Sequence, residues 1–353
     1  MSQFNHDLLA QLLSAAGPSS FESRPAALWR KQAEAVGAKV TTDVYGNSFA
    51  TFGSGKRPRV MLAGHIDEIG LMITYVDKEG YLYFRGIGGW DPVQLIGQRV
   101  RILGYRGDLV GVIGKKPIHL MTTEERNKAL KIEDLWIDIG AQDDEDASQV
   151  VRTGDVAVIE QPYVQLRNGR VVSRAIDNRI GAYIVLEAAR RAAKKAQAEV
   201  VAVATIQEEI GHIGAGVAAF GLEPDVAIAI DVTHATDQPG VSKKQHGDVP
   251  LGSGANISIG SIVHRGVFNQ LLACAEKANI PHTIEAAPSR TATDGDDIAK
   301  ALRGVPTAVV SVPTRYMHSP NEVIDLDDVE QVIRLLIAFI HSLDEATRFR
   351  QPD

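Results

Sequence analysis

Hydrophobic and polar positions follow two regimes along the chain. In one, unbroken apolar and β-branched runs predict buried strands at Arg59–Ala63, Val200–Ile206, Val226–Ile230 and Thr307–Val312. Helical spacing of apolar positions predicts helices over Asn178–Lys195, Gly266–Asn279 and Leu326–Leu343. The first twenty residues predict a further amphipathic helix that ends near Gly17 and Pro18. Strands that are apolar at every position are covered on both faces. This regime therefore predicts an α/β fold: a mostly parallel sheet sandwiched by helices. In such sheets, chemistry collects beyond the carboxyl ends of the strands.

The second regime runs from Leu71 to Val164, where apolar and polar residues alternate over short stretches cut by Gly and Asp-Gly turns. That pattern predicts antiparallel hairpins, with helices only over Thr123–Ile132 and Asp144–Val150. The expected organisation is a β-rich unit, residues 71–164, inserted into a discontinuous unit of residues 1–70 and 165–353. The chain leaves the main sheet near Gly70 and returns near Arg170.

Composition narrows the function classes. The chain has 353 residues, 44% apolar and 23% charged, an ordinary globular balance with length enough for more than one core. A formal charge of −7 argues against a nucleic-acid binder. No window has the length and apolarity to span a bilayer, and the amino terminus lacks the pattern of a signal peptide, so a cytoplasmic location is the default expectation. The single cysteine, Cys274, sits in an apolar stretch and reads as a core residue. Any metal site must then use oxygen and imidazole donors.

Five segments share one feature, an apolar run followed at once by acidic or imidazole groups: GHIDEIG with His65 and Asp67, AIDNRIG with Asp177, QEEIGHIGAG with Glu208 and Glu209, AIDVT with Asp231, and RYMHSPNEVID with His318. On an extended backbone, positions i and i+2 face the same way, so Asp67 can orient the His65 ring. Asp177 opens a helix, where an aspartate also suits a capping role. Adjacent carboxylates at the end of a buried strand repel each other and call for a nearby positive charge. His212 reads as polar lining and not as a ligand. Each segment alone is weak evidence; converging at one sheet edge, they form a carboxylate–imidazole set that suits Zn²⁺ first, and also Co²⁺ or Mn²⁺.

In this order the five motifs resemble the M42 family of metalloaminopeptidases, over roughly residues 20 to 345. The segments KPIHLMTTEERNKAL and LWIDIGAQ are similar to that family's inserted PDZ-like domain. The resemblance implies two divalent metal ions per subunit, bridged by Asp177, with His65 and Asp231 on one and Glu209 and His318 on the other. It implies Glu208 as the general base and Asp67 as the acid behind the histidine. Peptides with a free N-terminus would be the substrates, and the assembly a homo-oligomer of the tetrahedral dodecamer type built from dimers. Where the family carries a Gly-Gly-Thr-Asp-Ala segment, this chain has Arg290, Thr291, Ala292, Thr293 and Asp294. Arg290, Thr293 and Asp294 are the candidate substrate contacts, and the two lost glycines leave substrate preference open. Rival readings are a dinuclear deacylase of N-acyl amino acids, an endoglucanase with two opposed carboxylates and no metal, and a non-catalytic assembly protein.

Overall fold

In a computed structural model the described residues are 5–53 and 55–351. The opening helix runs from His6 to Ser14, and the Asn5 side chain caps it by accepting from the Leu8 amide at 3.0 Å. The part of that prediction that falls on residues 1–4 lies outside the described residues.

An eight-stranded sheet forms the larger layer, and all four predicted strands belong to it. Glu199–Thr205, Arg59–His65, Val226–His234 and Thr307–Thr314 lie side by side and run parallel. Both flanks bring reversals. The hairpin of Lys39–Thr42 and Ser48–Phe52 joins one side antiparallel. On the other, Ala255–Gly260 and His282–Ala287 are parallel to each other but antiparallel to Thr307–Thr314. The sheet is mixed, with a parallel centre. An apolar run reports burial on both faces and carries no information on direction, which is why the reversed flanks escape the pattern.

Residues 200–204 show why these runs are continuous. Val200, Ala202 and Ala204 pack on one side with the helix that carries Ile180 and Ile184; Val201 and Val203 pack on the other with the helix that carries Ala215 and Ala218. The helix Leu326–His341 starts at Asp325, whose side chain accepts from the Asp327 amide at 3.0 Å, and buries Val329, Val332, Ile333, Leu336 and Phe339. The helix Ile176–Ala192 covers the same face but is broken near its start: Asp177 and Asn178 have non-helical dihedrals, and the peptide between them is cis. This helix lies so close to the central sheet that a Cβ on Gly64 would come within 2.5 Å of the Gly181 backbone. Glycine at residue 64 therefore permits the approach that sets the next residue, His65, beside the helix start.

Strands from Gly70–Val76 to Val156–Ile159 close into a six-stranded antiparallel barrel with its own core of Leu71, Ile73, Phe84, Val100, Ile102 and Ile137. The two predicted helices are shorter than expected, at Thr123–Arg126 and Asp144–Ser148, and a third short helix, Pro92–Leu95, falls where none was predicted. The helix Thr123–Arg126 buries no residue at all, and an isolated helix with no apolar stripe to bury gains too little to propagate. A small three-stranded sheet, Val164–Gln165, Arg170–Ser173 and Glu322–Asp325, completes the fold.

Candidate active site

His65 is the last residue of its strand and pairs with Thr205, the last of its neighbour. The turn after Thr205 carries Glu208 and Glu209 to the same edge. Asp231 departs from expectation: its strand does not end there but continues to His234, pairing Asp231 with Ser311. It reaches the cluster from within the strand. His318 follows Thr307–Thr314 in a loop where its own φ is +58°, in the left-handed region.

These segments bring two triads together, His65 with Asp177 and Asp231, and Asp177 with Glu209 and His318. Within each triad the donor atoms lie within 4.8 Å of one another. Asp177 is common to both. Its Oδ1 lies 3.2 Å from His65 Nε2, and its Oδ2 lies 3.3 Å from His318 Nε2. It does not cap a helix, because its oxygens face the imidazoles. Glu209 Oε2 is 3.2 Å from His318 Nε2, whereas buried Glu209 Oε1 has no hydrogen-bond partner. His318 Nδ1 donates to the Gly89 carbonyl at 3.0 Å. A carbonyl can only accept, so Nδ1 carries a proton and Nε2 is the ring atom that faces the cluster.

Glu208 belongs to neither triad but borders them, with Oε2 3.6 Å from His65 Nε2 and Oε1 3.4 Å from His212 Nε2. His212 bridges on to Asp297, at 3.4 Å, and lies outside both triads. Asp67 lies behind His65, 3.3 Å from its Nδ1. It also accepts from Ser19 Oγ at 2.6 Å and from the amides of Glu208 and Glu209 at 3.2 Å each. One buried carboxylate thus orients an imidazole and anchors the glutamate pair.

The cluster's charge is out of balance. Asp67, Asp177, Glu208, Asp231, Asp294 and Glu322 are all buried, and close by lie two imidazoles. Burial pushes Glu208 up to about 11, with Asp231, Asp294 and Glu209 adding to it against the pull of His65. Burial and Asp177 likewise raise Asp231 well above the usual carboxylate range. Burial pulls His318 down, but Asp177 and Glu209 outweigh it and push the imidazole up to about 11. Such a set favours positive charge held among its oxygens.

Among the candidate substrate contacts, Asp294 is buried beside the cluster; it accepts from the Thr205 hydroxyl, and its Oδ1 has no partner. Thr293 is buried one residue away, and its Oγ1 accepts from the Gly295 amide at 3.1 Å. Arg290 is exposed, with no ion pair among the described residues. The departure from the glycine pair has a local account. The Thr291 hydroxyl donates to Asp296 at 2.7 Å, tying the loop, while Ala292 takes a left-handed φ of +53° that glycine would adopt without strain.

Two groups of residues escaped the sequence reading. Glu322 accepts from the amides of Asp177 at 3.0 Å and His318 at 2.9 Å. Glu68 pairs with Arg174 and, at 2.7 Å, with the fully buried Arg179. Arg179 also donates to the carbonyls of Leu12 at 2.7 Å and Ile66 at 3.1 Å. The signal was present, in that each of these charges lies inside or next to an apolar motif; their partners, mostly backbone atoms, leave no trace in sequence.

Sequence and fold comparisons place the chain among peptidases. The model for M42 glutamyl aminopeptidases matches residues 46–335, and the chain belongs to that family. A lysyl aminopeptidase of Pyrococcus furiosus is 38% identical over 312 residues, 87% of this chain and 88% of the relative. A TET aminopeptidase from Thaumarchaeota archaeon SCGC AB-539-E09 superposes with a TM-score of 0.91 at 34% identity, covering 96% of each chain. A Pyrococcus horikoshii TET1 peptidase, described as assembling into a tetrahedron or a large octahedral shell, gives 0.84 at 32% identity over 96% of this chain and 99% of that one.

Proposed function

We propose that this chain is a dinuclear metalloaminopeptidase that removes residues from the free N-terminus of peptides. The observation that carries the reading is the pair of donor triads sharing Asp177. The donors are imidazole nitrogens and carboxylate oxygens, a set suited to Zn²⁺ and also to Co²⁺ or Mn²⁺. The excess of buried carboxylates and the unpartnered Glu209 Oε1 fit cations better than they fit an empty polar pocket. His65, Asp177 and Asp231 would hold one ion, and Asp177, Glu209 and His318 the other.

When bound, paired divalent cations lower the pKa of a shared water and offset charge on a scissile carbonyl. The protein's part follows from its own side chains. Glu208, outside both triads, takes the proton of the attacking water and returns it to the leaving amine. Nearby positive charge would draw its pKa down from the raised value toward a range in which it can act as a base. Asp67 fixes the His65 ring and the backbone of the glutamate pair. Asp294, and with it Thr293 and Arg290, are the proposed contacts to substrate; the unpartnered Asp294 Oδ1 suits an α-ammonium group.

We assign residues 1–70 and 165–353 to the catalytic unit and 71–164 to an inserted PDZ-like unit, and expect a cytoplasmic homo-oligomer, of the tetrahedral dodecamer type, as the TET1 likeness suggests. No helix among the described residues is long and apolar enough to cross a membrane. The test is a panel of aminoacyl-p-nitroanilides, free and N-acetylated, run on chelated protein before and after addition of Zn²⁺ or Co²⁺. Turnover of free substrates restored by metal is the expected result. Full activity in metal-free protein, or a preference for acetylated substrates, would overturn it.

A further inference from the structure

We propose that Glu322 is a positioning residue that fixes the separation of the two cation sites by holding the backbones of Asp177 and His318 with one carboxylate. The inference rests on the dinuclear reading above and adds a residue that touches neither cation in that reading. Glu322 is 2% exposed, and each of its oxygens is engaged: Oε2 accepts from the Asp177 amide at 3.0 Å and Oε1 from the His318 amide at 2.9 Å. Neither amide has a carbonyl partner in a regular ladder. Asp177 has non-helical dihedrals at a helix start, and His318 sits in the left-handed region.

The placement follows from the small sheet. Glu322 opens the strand Glu322–Asp325 and pairs with Ser173, the last residue of Arg170–Ser173. From Ser173 the chain needs only four residues to reach Asp177. In the other direction, His318 lies four residues before Glu322 in its own loop. One carboxylate therefore stands where the two irregular segments meet, one bringing the shared donor and the other the imidazole of the second triad. Where their backbones sit decides where the Asp177 oxygens and His318 Nε2 can lie, and groups that orient metal-binding side chains from behind commonly tune affinity. Asp67 does the same for Glu208 and Glu209, so the two carboxylates together hold three segments of the cluster through four backbone amides.

Glutamine has the shape of glutamate but only one acceptor oxygen, so Glu322→Gln sets an NH₂ group against one of the two amides. Glu322→Asp keeps both acceptors, drawn back by one methylene. Zinc affinity of the full-length protein is read by competition with a chromophoric chelator, metal content by elemental analysis, the Co²⁺-loaded visible spectrum by absorption, and stability of the chelated protein by thermal denaturation. Glu322→Gln is expected to bind zinc roughly 10–100-fold more weakly and to shift the Co²⁺ spectrum, with partial recovery in Glu322→Asp. A wild-type Co²⁺ spectrum and zinc affinity in Glu322→Gln would overturn the proposal. So would weakened binding with an unchanged spectrum, which marks a merely structural role. If Glu322→Gln does not fold, Glu322→Asp carries the same readouts. Wild-type protein that takes up fewer than two cations would instead defeat the dinuclear reading, and this inference with it.

Discussion

Two buried charged clusters meet at neighbouring residues, and they are built on opposite principles. Around Glu68, one carboxylate faces two guanidiniums, Arg174 and Arg179, and backbone carbonyls take further guanidinium hydrogens. Burial pushes Glu68 up, but the arginines outweigh it and hold the carboxyl below 4.5. Around Asp177, carboxylates outnumber imidazoles, and burial and mutual repulsion raise Glu208, Glu209 and Asp231. The first cluster is closed, with its charge answered from within the chain. The second is open, its charge left for something from outside to answer. A folded protein retains such an imbalance where function requires it.

This contrast can be broken in several ways. The largest effect is expected from Glu208→Gln, which should lower kcat about 10²–10⁴-fold with metal content unchanged; elemental analysis beside p-nitroanilide kinetics decides it. Loss of metal in that variant would move Glu208 into the ligand set. Next comes Glu68→Ala. It strands two buried arginines and should cost about 3–5 kcal/mol of stability, alike with and without chelator, as read by urea denaturation.

The closed cluster also sets a pH dependence. The folded pKa of Glu68 is depressed, so its contribution is fully present above about 4.5 and is lost as pH falls through the lower folded value. Glu68→Gln should flatten the acid limb of the stability curve. An unchanged limb in that variant would show that the closed cluster does not govern acid stability.

The open cluster should respond in the opposite sense. Asp231 is raised by burial and by Asp177, so its contribution to the chelated protein is fully present only below pH 3.8 and is lost as pH rises toward the higher folded value. Asp231→Asn is therefore expected to raise the denaturation temperature of chelated protein and to shrink the further rise on adding zinc. A fall in both conditions would mean that the cluster is closed after all. The smallest effect belongs to Thr291→Gly, which removes the hydroxyl bond to Asp296 and should cost about 0.5–1.5 kcal/mol, with a change in the order of preferred p-nitroanilides. An unaltered order would separate this loop from substrate preference.

Much of the fold and of the candidate site is legible in the sequence. The central strands read directly because Val200 to Ala204 are buried on both faces and leave an unbroken apolar run. The five segments that form the two triads read through one feature, charge placed directly after such a run. Direction was not legible: nothing in Ala255–Gly260 says that it runs against Thr307–Thr314. Thr123–Ile132 misled because its residues favour a helix locally, while the one turn that forms, Thr123–Arg126, buries none of its side chains. Glu322 and Arg179 stayed hidden for a different reason. They act on backbone atoms of distant segments, and a backbone partner has no letter in the sequence.

Arg179 has a practical consequence. It reaches past the cluster floor to the carbonyls of Leu12 and Gly17, and Glu68 accepts from the Gly17 amide at 3.0 Å. The opening helix is thus a plug seated beneath the candidate centre. Shortened forms for crystallisation or display should keep everything from Asn5 onward, because cutting back to Pro18 would let solvent reach a guanidinium that is fully buried in the intact chain.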